Sequence, residues 1–309
     1  MEHLSVLYEE SLLGLAIKPD GFYVDCTFGR GGHSKGILKQ LGSDGRLLAI
    51  DRDLAAINSI YADELRRDER FSLHHGCFSE LDDVVRQYGW QQKIDGVLMD
   101  LGVSSPQLDD ADRGFSFMRE GPLDMRMDDS TGISAAEWLQ QVDEKTLVKV
   151  LFEYGEERFA RRIARAVMER RIENPLVTTL ELAKLIENVV PRREKHKHPA
   201  TRSFQAIRIE INSELEEIKQ GLKQAVDILK PAGGRLVVIS FHSLEDRIVK
   251  RFIRQESGRK YNPGRLPIKE ADIEQGMLKK ASKAIKAGKL ELQQNPRARS
   301  AVLRIAERV

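Results

Sequence analysis

Phe22-Tyr23-Val24-Asp25-Cys26-Thr27-Phe28-Gly29-Arg30-Gly31-Gly32-His33 is the stretch on which the reading of this chain turns. An apolar run over 22–26 has strand character and passes directly into a glycine-rich turn. A helix pattern follows through Ile37, Leu38 and Leu41 and is stopped by Gly42. Outward from there the alternation repeats. Arg46-Leu47-Leu48-Ala49-Ile50 reads as a second strand closed by Asp51, residues 54–65 as a helix, and 71–75 as a third strand. Residues 81–88 read as a helix and 94–99 as a fourth strand ending at Asp100. Strands separated by helices of this length imply βαβ units, a parallel sheet and right-handed crossovers. In such sheets ligands bind beyond the carboxyl ends of the strands. The glycine turn, Asp51 and Asp100 all fall at those ends.

The rhythm stops after Asp109. As far as Ala200 the sequence offers helices at 134–140, 144–154, 157–171 and 179–190, with polar loops and no strand. Thr178 with Glu181 is an N-terminal capping signal for the last of these. Ile207, Ile211, Leu215, Ile218, Leu222, Val226 and Leu229 then recur at spacings of 4, 4, 3, 4, 4 and 3, which predicts one long amphipathic helix. Lys230-Pro231-Ala232-Gly233-Gly234 breaks it. Arg235–Ser240 reads as a strong strand and 301–306 as a final one. The economical architecture is one α/β domain, residues 1–110 and 204–309, interrupted by an all-helical insertion at 111–203. Residues 261–292, rich in Lys, Gly and Pro, read as a partly flexible excursion.

Composition narrows the class. With 41% hydrophobic and 32% charged residues in 309, a sizeable core is available, which excludes a wholly disordered or collagen-like chain. No apolar stretch approaches the roughly 20 residues of a membrane span. The start, Met1-Glu2-His3-Leu4, lacks signal-peptide character. Two cysteines, Cys26 and Cys77, make neither a disulfide framework nor a metal cluster. The expectation is a soluble cytoplasmic protein with no membrane partner. The net charge of +2 conceals strong segregation: −6 over 100–140, +5 over 158–171, +5 over 192–208 and +9 from Glu245 onward. Basic blocks of that kind suit a polyanion, although solvated helix faces have the same composition.

A glycine turn after the first strand allows close backbone approach to a nucleotide-like ligand, and an acidic residue about 20 positions later accepts ribose hydroxyls. Asp51 lies 22 residues beyond Gly29. Dinucleotides and S-adenosylmethionine both use this architecture. The dinucleotide fingerprint would need a third glycine at Ser34, whereas Asp25-x-Thr27-x-Gly29-x-Gly31-Gly32 is similar to methyltransferase first motifs. The segment Asp100-Leu101-Gly102-Val103-Ser104-Ser105-Pro106-Gln107 sits where N-methyltransferases of exocyclic amines carry an Asp/Asn/Ser-Pro-Pro-aromatic motif, and Ser105-Pro106 resembles a variant of it. Such an amine has its lone pair delocalised into the ring. A side-chain oxygen and a proline-linked carbonyl that accept its N–H groups favour a tetrahedral nitrogen able to attack in line. Asp100, Ser105 and Pro106 are therefore the candidate catalytic residues. Cytosine C5 chemistry needs a cysteine beside proline, which neither Cys26 nor Cys77 supplies. No convincing metal-ligand spacing is present; His196 and His198 lie in a Lys-rich loop.

These motifs together resemble the bacterial RsmH (MraW) family of ribosomal RNA small-subunit methyltransferases, from His3-x-Ser5-Val6-Leu7 to Asn295-Pro296-Arg297-Ala298-Arg299-Ser300-Ala301. Further matching segments are Gly29–Ser34, Asp100–Asp110, Arg113–Phe117, Pro122–Met127, Tyr154–Arg158, His198–Ala206 and Ser240–Arg247. The Lys-rich 276–289 is the least typical stretch. The resemblance implies a class I S-adenosylmethionine-dependent methyltransferase fold, Rossmann-like with a mostly parallel sheet and a helical insertion that recognises rRNA. It implies methylation of N4 of a cytidine in the decoding centre of 16S rRNA, within the small ribosomal subunit, with no covalent enzyme intermediate and no metal. The family's cofactor contacts fall on Gly31, Gly32, His33, Asp51, Phe78, Asp100 and Gln107. In that setting Arg158, Arg161, Arg162 and Arg165, at helical spacing, become RNA-binding candidates, with Arg202, His242, Arg247, Arg297 and Arg299. Two other readings fit the residues alone: an rRNA-binding assembly factor with vestigial catalysis, and an N-methyltransferase acting on DNA. A homodimer is compatible with the sequence, which does not set the oligomeric state.

Overall fold

The computed structural model describes residues 5–191, 198–258 and 275–309. Readings that involve 1–4, Arg192, Arg193, His196 and 259–274 lie outside the described residues. The chain divides into two compact units, Met1–Gly102 with Leu215–Val309, and Val103–Glu214.

The first unit is built on a seven-stranded sheet in the order β3-β2-β1-β4-β5-β7-β6. Its strands are β1 (Phe22–Asp25), β2 (Arg46–Asp51), β3 (Phe71–His75), β4 (Ile94–Asp100), β5 (Arg235–Ser240), β6 (Leu278–Lys280) and β7 (Val302–Arg308). The first five are mutually parallel, and β7 runs antiparallel to both β5 and β6. The order reverses direction between β1 and β4, so the crevice at their carboxyl ends is the switch point where such sheets bind ligands. Register brings the chemistry together: Asp25 is level with Ala49 and Leu98, and Asp100 with Ile239.

Side chains alternate between the faces of a strand, and both faces here are buried. Val24, Leu48, Val97, Met99, Leu236 and Val238 pack with α5 (Leu81–Gln87), α12 (Glu214–Ile228) and α13 (Ser243–Glu256). Tyr23, Leu47, Leu98, Val237 and Ile239 pack with α1 (Tyr8–Leu15) and α2 (Gly32–Gln40). Double burial is why these strands read as continuous apolar runs. The helix expected over 54–65 is two short ones, α3 (Leu54–Ile57) and α4 (Ile60–Leu65). Ser59 accepts the Ala62 N–H and caps the second. Within 261–292, the described part is ordered: β6 joins the sheet edge and Ile285 pairs with Leu303.

The second unit is helical, as its patterning requires, with α6 (Ser105–Asp109), α7 (Ala135–Gln141), α8 (Glu144–Glu153), α9 (Ala160–Glu173), α10 (Thr179–Val189) and α11 (Thr201–Ile211). Leu139, Leu147, Leu151, Ile163, Leu182, Ile186, Phe204 and Ile207 share its core. Its limits lie outside the 111–203 expected, because the 207–229 periodicity does not make one helix. The chain breaks at Asn212-Ser213, with Ser213 at φ 51°. Asn212 is buried; its Oδ1 accepts the Met127 N–H at 2.7 Å and its Nδ2 donates to the Met125 carbonyl at 2.7 Å. A buried side chain bonded across the unit outweighs the continuity of an apolar stripe. Among the described residues no helix is long and apolar enough to cross a membrane.

Candidate active site

The glycine turn is shaped by backbone demands before any ligand is considered. Gly31 caps α2 at φ 73°, a left-handed conformation that costs a residue with a Cβ roughly 1–2 kcal/mol. At Gly32 a Cβ would collide with Ser5 Oγ. The Gly29 N–H donates to Asp51 Oδ2 at 2.6 Å, and the Asp53 N–H donates to Asp51 Oδ1 at 2.8 Å. These bonds aim the carboxylate back over the turn. Burial pushes the Asp51 carboxyl up to about 6, against the lowering effect of the Asp53 and Gly29 donors.

Beneath the turn lies a polar network that the sequence reading did not single out. Asp25 is fully buried; its Oδ2 accepts the Ser34 hydroxyl at 2.7 Å and its Oδ1 accepts the Thr27 N–H at 3.1 Å and the Thr27 hydroxyl at 3.3 Å. Thr27 Oγ1 in turn accepts the Asp100 N–H at 2.8 Å. One carboxylate thus ties the end of β1 to α2 and, through Thr27, to the end of β4. The Asp25-x-Thr27 spacing, with Ser34 opening the helix, is the signal that could have found it. Burial raises the Asp25 pKa, opposed by His33 and by its hydroxyl and N–H donors.

His33 is 4% exposed. Its ring lies on Tyr8, centroids 5.9 Å apart and planes at 24°, and its Nε2 is 3.7 Å from Asp100 Oδ2. Burial by itself lowers the imidazole's pKa, but Asp100 and Asp25 outweigh it and hold the pKa above the ordinary value. Among the described residues neither ring nitrogen has a hydrogen-bond partner, nor does Asp100 Oδ1. Buried polar atoms without partners are uncommon in folded proteins and mark places where a ligand completes the set. Phe78, half-buried, is held by α12: Gly221 leaves it room, and Glu217 accepts the N–H and hydroxyl of the adjacent Ser79, each at 3.0 Å.

In the helical unit Ser105, Pro106 and Gln107 open α6. Ser104 N–H donates to Gln107 Oε1 at 2.8 Å and Ser104 Oγ accepts the Gln107 N–H, a capping box that holds the buried Gln107. The Pro106 carbonyl accepts the Asp110 N–H at 2.9 Å. The helix turn uses one lone pair of that carbonyl and leaves the other for a substrate amine. Asp100 Oδ1, without a partner among the described residues, is a further acceptor with spare capacity.

The expected RNA-facing cations are scattered. Arg161, Arg162 and Arg165 are exposed on α9 opposite the buried Ile163, Ala164 and Val167. Arg158 is exposed in the turn before that helix, not on it, because the Glu157 carboxylate bonds the Phe159 N–H and delays the helix start. Arg202 is half-buried on α11. His242, half-buried, sits at the N-cap of α13 with its Nε2 3.1 Å from Oε1 of the buried Glu245. Arg247, Arg297 and Arg299 are exposed.

A sheet of this order with a glycine turn after β1, an acidic residue ending β2 and another ending β4 defines the class I methyltransferase type of α/β protein. Over residues 1–309 the chain matches the model of the MraW methylase family, and it belongs to that family. It is 58% identical over 308 residues to a protein named ribosomal RNA small subunit methyltransferase H from Pseudoalteromonas atlantica, covering 99% of this chain and 98% of the relative. Proteins of the same name from Methylococcus capsulatus and Hydrogenovibrio crunogenus are 57% identical over 303 and 307 residues, covering 98% and 99% of this chain and 99% and 96% of theirs.

Proposed function

We propose that this protein uses S-adenosylmethionine to methylate small-subunit ribosomal RNA, at the exocyclic N4 of a cytidine in the decoding centre of 16S rRNA, by direct in-line transfer. The observation that carries the reading is the gathering of Asp51, His33 and Asp100 at the glycine turn, with unmet hydrogen-bonding capacity on His33 and Asp100. The donor set fits the cofactor. Asp51 would accept the ribose hydroxyls, and Phe78 would lie beside the adenine. Gly31, Gly32, His33 and Asp100 would line the methionine end. The bound cofactor supplies an electrophilic methyl group. The chain's part is then positioning: Asp100 and Ser105 accept the amine N–H groups, which localises the nitrogen lone pair. The target base has to leave its stack, at about a few kcal/mol, less in an unpaired loop.

The experiment is labelled methyl transfer from S-adenosylmethionine to small subunits from a strain lacking the modification, read by nucleoside mass spectrometry. N4-methylcytidine is the expected product, with Asp51→Ala losing cofactor binding by calorimetry while keeping its fold. Label on another base, or on DNA but not rRNA, overturns the substrate. Binding of rRNA without transfer favours the assembly-factor reading.

A further inference from the structure

Phe115-Ser116-Phe117 and His198-Pro199-Ala200 have no part in the site above, yet the helical unit brings them together. Phe204, 4% exposed, anchors the arrangement in the core. The half-buried Phe117 meets it edge to face, centroids 4.9 Å apart at 73°. The His198 imidazole lies against Phe117, centroids 4.6 Å apart at 32°. His198 Nδ1 accepts the N–H of the buried Ala200 at 3.2 Å, which fixes the ring's rotation and leaves its proton on Nε2. His198 is nevertheless exposed. Its side-chain freedom is spent without the burial that normally compensates. What the ordering produces is a rigid π-surface facing solvent, backed by an aromatic ring and carrying a donor at its edge.

The charge around this surface points to the class of partner. Arg202 lies in the first turn of α11, four residues beyond His198, and Arg208 further along that helix is paired with the buried Glu214. Among the acidic residues of the stretch containing Phe117, Asp124 is paired with Arg126 at 2.6 Å. A flat exposed ring with a donor at its edge, followed in the chain by Arg202, suits an unpaired base on a phosphate backbone, because every base offers a π-face for stacking.

Resting on the rRNA reading, we propose that His198, backed by Phe117, is the stacking platform for an unpaired nucleobase of the RNA substrate. The platform accounts for ordering an exposed imidazole, which the methyl-transfer site does not require.

The test uses the full chain with a single-stranded RNA oligonucleotide carrying 2-aminopurine and a fully paired duplex of the same length. His198→Asn keeps an acceptor for Ala200 but removes the ring; His198→Tyr keeps the ring but removes that acceptor. The wild type and His198→Tyr are expected to bind the single strand with quenching of the fluorophore. His198→Asn is expected to bind it about tenfold more weakly without quenching, with duplex and S-adenosylmethionine affinities unchanged. Four results overturn the proposal: no single-strand binding by the wild type, wild-type behaviour of His198→Asn, failure of His198→Tyr alongside it, or an equal loss for duplex. Methyl transfer to rRNA by the wild type, measured in parallel, tells failure of the platform from failure of the rRNA reading.

Discussion

At the scale of single residues, Asp51 combines structural and binding demands whose pH dependences have opposite signs. Its carboxyl titrates near 6 in the folded chain, against an ordinary 3.8. Between those values the folded state binds more protons than the unfolded one. Stability of the ligand-free protein therefore falls as pH rises through that window and levels off above about 6. Ribose hydroxyls, however, donate to the ionised form. Calorimetric titration should find S-adenosylmethionine affinity rising about tenfold per pH unit up to about 6 and flat above it, with the slope absent in Asp51→Asn. Asp51 was legible from its spacing to Gly29. The Asp25–Thr27–Asp100 relay was not, because it depends on strand register that places a hydroxyl from one strand end under the N–H of another.

At the scale of elements, the outcome turned on where helices stop. The 207–229 stripe has helical periodicity throughout, and the break at Asn212 is invisible to it because α11 and α12 continue the same spacing on either side. Asn212 decides the matter through two backbone partners, the N–H of the half-buried Met127 and the carbonyl of the buried Met125. Each loses its bond in Asn212→Ala, and an unsatisfied buried group costs about 1–3 kcal/mol. A destabilisation of about 3 kcal/mol is expected, measured as a lowered urea midpoint. By contrast, the capping boxes at Thr178/Glu181 and Ser134/Glu137 depend on residues three apart. Local signals of this kind survive in the sequence, and the first of them was read there.

At the scale of the whole molecule, charge by segment carries more than the total of +2. The exposed face of Arg161, Arg162 and Arg165 gives this a measurable form. If all three meet phosphate, replacing them with glutamine should reduce the slope of log affinity for rRNA against log salt by about 2–3, at about 0.7–0.9 per contact. An unchanged slope would make that face a solvated one.

The sequence by itself determined the parallel α/β architecture, the helical insertion, the glycine turn and the acidic residues at the strand ends. It could do so because burial of both sheet faces and turn chemistry are written in residues near one another in the chain. Only the tertiary structure decided the rest. It set the limits of the helical unit, the helix-turn bond to the Pro106 carbonyl, the pairing of His33 with Asp100 and the stack of His198 on Phe117. Each of these rests on groups that the fold, and not the spacing of residues, brings within reach.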